Sequence, residues 1–219
     1  MLEIQELVKL MFPSILQTLY MVFVSTLFTI LLGMPLGIIL VTTSKGHIME
    51  NSTIYEILSY IVNIGRSLPF VILMIFIFPF TRFLVGTSIG TNAAIVPLVV
   101  AAIPFFARVV ETSLLEVDSG LIEAALSMGA GEYEIITRVL IPESLASLVL
   151  GITITIINIL GYSAMAGAVG GGGIGDLAIR YGYHRFQTNV MIGTVVLLIL
   201  MVQIIQTLGN TLSKKLNTK

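Results

Sequence analysis

Few side chains in this sequence could carry out chemistry. The chain contains no cysteine, which excludes disulfides, iron–sulfur clusters and thiolate zinc sites. Its two histidines, His47 and His184, are far apart in the sequence and lack neighbouring ligand residues, so we expect no metal site. The glycine run at residues 170–173 is not followed by the lysine of a phosphate-binding loop. We therefore expect neither a catalytic residue nor a cofactor in this chain.

The longest polar stretch between apolar segments, residues 111–143, predicts two short helices that meet at a glycine. Asp118 can cap the first helix, and Gly129 is placed to end it in the left-handed conformation. Gly131 can begin the second helix. The second helix would carry one apolar stripe, formed by Ile135, Ile136, Val139 and Leu140.

The rest of the chain has the composition of a membrane protein. Of its 219 residues 56% are hydrophobic and 11% are charged, whereas soluble domains average about a quarter charged residues. A net charge of −1 gives no basic surface for nucleic acid. Five apolar segments without period-2 alternation predict five transmembrane helices in an all-α, single-domain membrane protein spanning residues 1–219. The segments cover about residues 15–41, 57–80, 92–110, 145–169 and 190–212.

Orientation follows from lysines and arginines, which are more frequent in cytoplasmic than in outer loops. Five crossings place the two termini on opposite sides of the membrane. With a cytoplasmic C-terminus, the inner set is Lys45, Arg108, Arg138, Lys214, Lys215 and Lys219, and the outer set is Lys9, Arg82, Arg180 and Arg185. This excess predicts an outer N-terminus and a cytoplasmic C-terminus.

Arg66 lies inside the second apolar segment, where a charge at the bilayer centre costs at least about 3 kcal/mol. In one interpretation, the membrane part starts nearer Ser67 and Arg66 reaches an interface. The rarity of unpaired charges within membranes favours this interpretation. In the other interpretation, Arg66 faces a water-filled path and contacts a substrate.

The five segments contain no aspartate or glutamate. Ion-coupled carriers generally place carboxylates or other ionisable groups at membrane depth to bind the driving ion. Uphill transport by this chain would therefore need energy from outside the bilayer, which disfavours an ion-coupled carrier. A membrane-embedded enzyme is disfavoured because reactive groups do not cluster near one interface.

The stretch at residues 118–143 carries the order Glu123-Ala124-Ala125, then Gly129, then Val139-Leu140-Ile141-Pro142, which resembles the EAA loop of ATP-binding-cassette (ABC) importer permeases. That family usually ends the loop with Ile-x-Leu-Pro, and both replacements here remain apolar. The resemblance implies a cytoplasmic coupling loop that docks into a cleft of a separate ATPase. The implied coupling residues are Glu123, Ala124, Ala125, Gly129, Val139, Ile141 and Pro142. The alternative is an ordinary amphipathic hairpin lying on the membrane.

Four further stretches, residues 66–70, 79–90, 161–176 and 181–183, resemble the methionine-uptake branch of these permeases. The resemblance implies a bacterial inner-membrane complex of two copies of this chain with two ATPase subunits, which bind ATP and Mg²⁺. A lipid-anchored extracytoplasmic protein would deliver methionine, with the choice between its L and D forms open. Related permeases for glycine betaine share such a glycine-rich segment, so another amino acid or glycine betaine is the alternative cargo.

The fourth apolar segment mixes apolar residues with small and polar ones. Ser163 and Gly167 have the four-residue spacing that lets helix backbones approach closely. This spacing fits packing within the chain, a helix that lines the passage, or contact with a second copy. The candidates for lining or gating a translocation path are Tyr162, Ser163 and Met165.

Overall fold

The computed structural model describes residues 4–217, with side chains from residue 9 onward, and this range is built from helices. The α-helices are α1 (Ile4–Thr43), α2 (Ser52–Ser67), α3 (Phe70–Phe76), α4 (Phe78–Val85), α5 (Thr91–Leu115), α6 (Ser119–Ser127), α7 (Glu132–Ile135), α8 (Ile141–Glu143), α9 (Leu145–Gly167), α10 (Gly173–Leu177) and α11 (Thr188–Leu216). Two π-helical segments, Ile136–Leu140 and Ala178–Tyr183, continue α7 and α10. Lys219, counted above among the inner basic residues, lies outside the described residues.

Four of the described helices are long and apolar enough to cross a membrane, namely α1 from Lys9, α5, α9 and α11. A fifth crossing is present if α2 and α3 together count as one broken span. The predicted fold class, an all-α membrane protein with about five crossings, is confirmed.

The second predicted segment, residues 57–80, is not one helix in the structure. Helix α2 ends at Ser67 and α3 begins at Phe70, with Leu68 and Pro69 between them. Pro69 has extended backbone angles, φ −60° and ψ 131°. Proline has no amide hydrogen and disfavours the helical conformation of the residue before it, which explains the break.

Contacts divide the chain into two compact units. The first unit contains the start of α1 up to Phe28, then Leu68–Ala102 and Ile156–Gln206. Its core is apolar and joins α1, α3, α5 and α9. The core residues are Met21, Val22, Phe70, Leu73, Met74, Ala94, Leu98, Ala101, Ala102, Ile159, Leu160 and Ala166.

The glycine run at residues 170–173 forms a tight turn within the first unit. The turn includes left-handed φ angles of 84°, 78° and 77°, which glycine adopts without steric cost. The Gly173 amide donates to Gln17 Oε1 at 2.9 Å, and the Ile174 amide donates to Thr18 Oγ1 at 2.9 Å. These bonds attach the start of α10 to α1.

Helix α10 also crosses the end of α9 at very close range. A Cβ atom at Gly167 would collide with backbone atoms of Gly175 and Asp176. Ser163, one turn earlier, is buried and its hydroxyl donates to the Leu160 carbonyl at 2.7 Å. Of the uses left open by the spacing of Ser163 and Gly167, packing within the chain is therefore present.

The second unit contains Thr29–Ser67, Ile103–Thr155 and the chain from Thr207 onward. Its helices also approach closely at glycines, because a Cβ at Gly37 would lie 2.6 Å from Val110 Cβ. One apolar cluster joins the ends of α1 and α5 to residues 125–148, and its buried members are Val41, Phe106, Val110, Leu114, Ala125, Ile135, Leu140 and Leu148. A second cluster buries Leu40, Val62 and Ala107.

Candidate functional site

The polar stretch at residues 118–143 forms a capped helical hairpin, which we call the coupling hairpin. Asp118 caps α6, because its Oδ1 accepts the Gly120 amide at 2.6 Å. Gly129 has φ 83° and ends the helix. The Gly129 amide donates to the Leu126 carbonyl at 2.9 Å, and the Ala130 amide donates to the Ala125 carbonyl at 3.1 Å. This pair of bonds is a Schellman cap, so the predicted roles of Asp118 and Gly129 in the helix are confirmed.

The second arm of the hairpin is a composite helix. Gly131 precedes α7, and its amide donates to Glu134 Oε2 at 3.4 Å. The chain continues as the π-helical segment Ile136–Leu140 and then as α8, which ends before Ser144. The Ser144 hydroxyl donates to the Leu140 carbonyl at 2.7 Å, immediately before α9 begins.

One face of the coupling hairpin is fixed to the membrane helices of the second unit. Ala125 is 4% exposed, and Ile135 and Leu140 are fully buried in the cluster with Phe106 and Leu148. The predicted apolar stripe is thus confirmed, since Ile136 and Val139 also pack against this cluster. Because this face is buried, the hairpin has a fixed orientation, and its opposite face is directed away from the membrane helices.

The opposite face of the hairpin is exposed and includes large apolar side chains. Glu123, Ala124 and Gly129 are all exposed. Met128 and Tyr133, which sequence analysis did not single out, are 82% and 77% exposed. Val139, Ile141 and Pro142 are half-buried, because they lie on the face packed against the membrane helices or just before α9. The predicted coupling residues therefore divide into a presented set and a supporting set.

A cleft of about 400 Å³ adjoins the presented face. It lies among the loop at residues 46–48, the end of α5 and helix α6, and Glu123 is part of its lining. Burial lowers the pKa of His47 in this loop, because loss of hydration disfavours the imidazolium form. His47 Nδ1 is buried and has no hydrogen-bond partner among the described residues.

The candidate path residues lie within about one turn of α9 but differ in exposure and in partners. Tyr162 stacks on Phe70 with ring centroids 4.7 Å apart and planes inclined by 7°. Ser163 is buried with its hydroxyl bonded to backbone, whereas Met165 is 48% exposed. These three side chains therefore have different surroundings within the first unit.

A buried ion pair in α5 was missed by sequence analysis. Arg108 Nη1 donates to Glu111 Oε2 at 2.6 Å, and the Glu111 side chain is 3% exposed. Tyr55 donates to Glu111 Oε1 at 3.2 Å, and Arg108 Nη2 donates to Ser59 and Asn63 at 2.9 Å each. Opposite charges three residues apart at the end of an apolar segment are the signal that could have revealed it.

Glu111 also corrects the predicted end of the third segment. The sequence placed that end near residue 110, but α5 continues to Leu115 and includes Glu111. One carboxylate is thus present in a membrane-length helix. Its charge is compensated by Arg108, so it is not a free ion-binding group.

This chain is a helical membrane protein with a polar hairpin between two apolar helices. It matches one known protein family over most of its length. Residues 33–219 match the family described as binding-protein-dependent transport system inner membrane component. The chain belongs to this family. The resemblance to ABC importer permeases of the methionine-uptake branch is confirmed by the relatives.

Two relatives carry the name probable D-methionine transport system permease protein. The chain is 52% identical over 213 residues to the probable D-methionine transport system permease protein MetI of Pasteurella multocida, covering 97% of each chain. It is 53% identical over 201 residues to the corresponding protein of Vibrio cholerae, covering 92% of this chain and 89% of the other.

A solved structure of the MetNI methionine ABC transporter in an inward-facing conformation is also similar. The TM-score is 0.96 at 46% sequence identity, and the match covers 98% of this chain and 100% of that chain.

Proposed function

We propose that this chain is the permease subunit of an ATP-driven importer that carries methionine into the cytoplasm. The single observation that carries this proposal is the two-sided coupling hairpin. One face is fixed to the membrane helices by Ala125, Ile135 and Leu140, and the presented face is exposed, with none of the described helices packed on it. Such an element can transmit a push on its exposed face to the helices, because the buried cluster is close-packed.

The partner that pushes on this face is a separate ATPase. This chain lacks a phosphate-binding loop sequence, so ATP and Mg²⁺ bind to the ATPase and this chain has no hydrolytic site of its own. Glu123 accepts hydrogen bonds from the ATPase surface. Met128 and Tyr133 bury apolar area against it, and the left-handed turn at Gly129 lets that surface approach the backbone.

The complete importer contains two copies of this chain, two ATPase subunits and an extracytoplasmic lipoprotein that delivers methionine. The coupling hairpin then faces the cytoplasm, which puts the N-terminus outside and the C-terminus inside. Tyr162, Ser163 and Met165 belong to the helix next to the glycine turn, and Met165 is the exposed member of this set. Met165 contacts the passing solute, while Tyr162 and Ser163 hold the helix in place.

The test is reconstitution in liposomes of this chain with its ATPase and binding protein. Methionine uptake should require ATP on the cytoplasmic side and should stop when the ATPase is omitted. Uptake without ATP, driven by a proton or sodium gradient, would instead identify an ion-coupled carrier.

Cargo is assigned by competition in the same liposomes. Unlabelled L- and D-methionine should each be tested against labelled methionine, and glycine betaine should not compete. The relatives named for D-methionine transport support methionine as the cargo. Selective uptake of glycine betaine or of another amino acid would show that methionine is not the cargo, but it would not contradict the ATP-coupled mechanism.

A further inference from the structure

Arg66, in α2, lies at the level of the midpoint of the neighbouring membrane helix α5. Gly65 contacts Pro104 so closely that a Cβ on Gly65 would lie 2.7 Å from Pro104 Cγ. Pro104 is near the midpoint of α5, which is long and apolar enough to cross a membrane. Arg66 follows directly in α2 and is exposed on the surface of the chain. Its Cα therefore lies far from either end of α5.

Arg66 continues a polar line along one face of α2. Tyr55, Ser59, Asn63 and Arg66 follow one another at spacings of four, four and three residues, which bring side chains to the same helix face. Ser59 and Asn63 both accept hydrogen bonds from Arg108 of α5. This face of α2 is thus polar over about three turns. Its first three side chains are bonded to α5, whereas Arg66 at its end is exposed, and an exposed charge is unsuited to contact with lipid.

Unlike Arg108, Arg66 has no counter-ion among the side chains that the structure describes. Within residues 9–217 it makes no ion pair or hydrogen bond, whereas Arg108 pairs with Glu111. A second copy of this chain offers no free acid at that level, because Glu111 is the only acidic residue in α5 and the sequences of α9 and α11 contain none. The missing anion must therefore come from outside the protein.

An uncompensated guanidinium facing hydrocarbon would cost at least about 3 kcal/mol, and contact with water at this level avoids that cost. Its planar fork of donors matches a carboxylate with two parallel hydrogen bonds. We propose that the exposed end of this face, at Arg66, borders a water-filled passage and that Arg66 binds the carboxylate of the solute in transit. This inference rests on the proposed function, since an amino-acid cargo supplies that carboxylate.

Cysteine labelling tests the aqueous passage, and the absence of native cysteine removes background from this chain. The Arg66→Cys variant, assembled with its partners in liposomes, is treated with a membrane-impermeant methanethiosulfonate reagent. Ile64→Cys is the matched control, because Ile64 is 46% exposed at nearly the same level but lies on the opposite face of α2. Labelling at position 66 should be at least ten-fold faster, and equal rates at the two positions would overturn the passage.

The charge preference is tested at the neighbouring exposed residue Ser67. In Ser67→Cys, an anionic methanethiosulfonate should react several-fold faster, relative to a cationic one, than it does when Arg66→Gln is also present. A ratio that does not depend on Arg66 would show that this residue attracts no anion. This readout requires no transport and therefore remains informative if a variant is inactive.

The third test measures methionine transport by variants of Arg66. Arg66→Gln should still co-purify with the ATPase and hydrolyse ATP, but methionine uptake per ATP should fall at least five-fold. Arg66→Lys should retain more uptake than Arg66→Gln but less than the wild type, because it keeps a cation and loses the planar fork. Wild-type uptake together with equal uptake by Arg66→Gln refutes only the role of Arg66, whereas absence of ATP-driven uptake by the wild type refutes the proposed function.

Discussion

Arg108 Nη1 lies 2.6 Å from Glu111 Oε2, one turn away on α5, and the two side chains are 20% and 3% exposed. Three side chains of α2 complete the network around this pair, namely Tyr55, Ser59 and Asn63. Because these contacts join α2 to α5 through charged and polar groups, the pair fixes the position of α2 in the second unit.

Removal of the cation should strongly destabilise the chain. In Arg108→Leu, Glu111 would remain buried without a counter-charge, which costs about 3–5 kcal/mol in comparable buried pairs. We expect a clear fall in the thermal unfolding temperature of the purified chain. The double variant Arg108→Leu/Glu111→Leu should recover most of this loss, because no unpaired charge remains.

The exposed pair of the coupling hairpin is the control for this experiment. Arg138 Nη1 lies 3.4 Å from Glu134 Oε1, and the two side chains are 78% and 48% exposed. Arg138→Leu should change the stability by less than about 1 kcal/mol, because water screens an exposed pair. Equal losses from Arg108→Leu and Arg138→Leu would contradict a structural role for the buried pair.

Gly129 should tolerate only residues that adopt the left-handed conformation. Gly129→Val would strain the backbone at φ 83° by about 1–2 kcal/mol and add a branched side chain to the presented face. We expect less bound ATPase and less methionine uptake per ATP hydrolysed. Gly129→Asn should be milder, since asparagine tolerates this conformation.

Gly131→Ala is the matched glycine control for the hairpin. Gly131 has φ −75°, and no described atom lies within 4 Å of a Cβ built on it. Both ATPase binding and transport should remain close to wild-type values. If Gly129→Val were as active as Gly131→Ala, the left-handed turn at Gly129 would not be needed for coupling to the ATPase.

The crossing of α9 and α10 should not accept a single methyl group. Gly167→Ala would place its Cβ against backbone atoms of Gly175 and Asp176, which cannot move as a side chain can. Overpacking of this kind typically costs about 1–3 kcal/mol. Gly161→Ala, in the same helix, meets no described atom within 4 Å and should be neutral. The yield of folded, monodisperse protein in detergent distinguishes the two variants.

Met165→Ala tests the proposed path. Because Met165 is 48% exposed, truncation should alter methionine uptake without loss of the fold or of the bound ATPase. Ser163→Ala removes a hydroxyl that bonds only to the Leu160 carbonyl and should have less effect. Unchanged uptake kinetics in Met165→Ala would exclude this side chain from the path.

Local chemistry made the coupling hairpin predictable. A carboxylate before a helical run and a glycine after it give caps that depend on a few adjacent residues, and Asp118 and Gly129 adopt these roles. The apolar segments were predictable for the same reason, because lipid requires long uninterrupted runs. Pro69 was visible in the sequence, but the apolar residues around it concealed the break between α2 and α3.

Features that depend on distant residues were not predictable in this way. The spacing of Arg108 and Glu111 indicates an ion pair, but the burial of Glu111 also depends on Tyr55, 56 positions away in the sequence. The π-helical segment Ile136–Leu140 likewise has no recognisable sequence pattern, and it replaces the regular second helix expected there. The level of Arg66 depends on the contact of Gly65 with Pro104, which only the folded chain reveals.

Site-specific crosslinking tests most directly whether the coupling hairpin docks on an ATPase. The Met128→Cys variant introduces a single cysteine at a position that is 82% exposed, and Phe186→Cys places one at an 86% exposed position in the loop before α11. Each is treated with a short bifunctional crosslinker in the complex assembled with the ATPase. We predict that Met128→Cys crosslinks to the ATPase and that Phe186→Cys does not. Labelling of Met128→Cys by an impermeant reagent from outside intact cells, without a crosslink to the ATPase, would contradict the account.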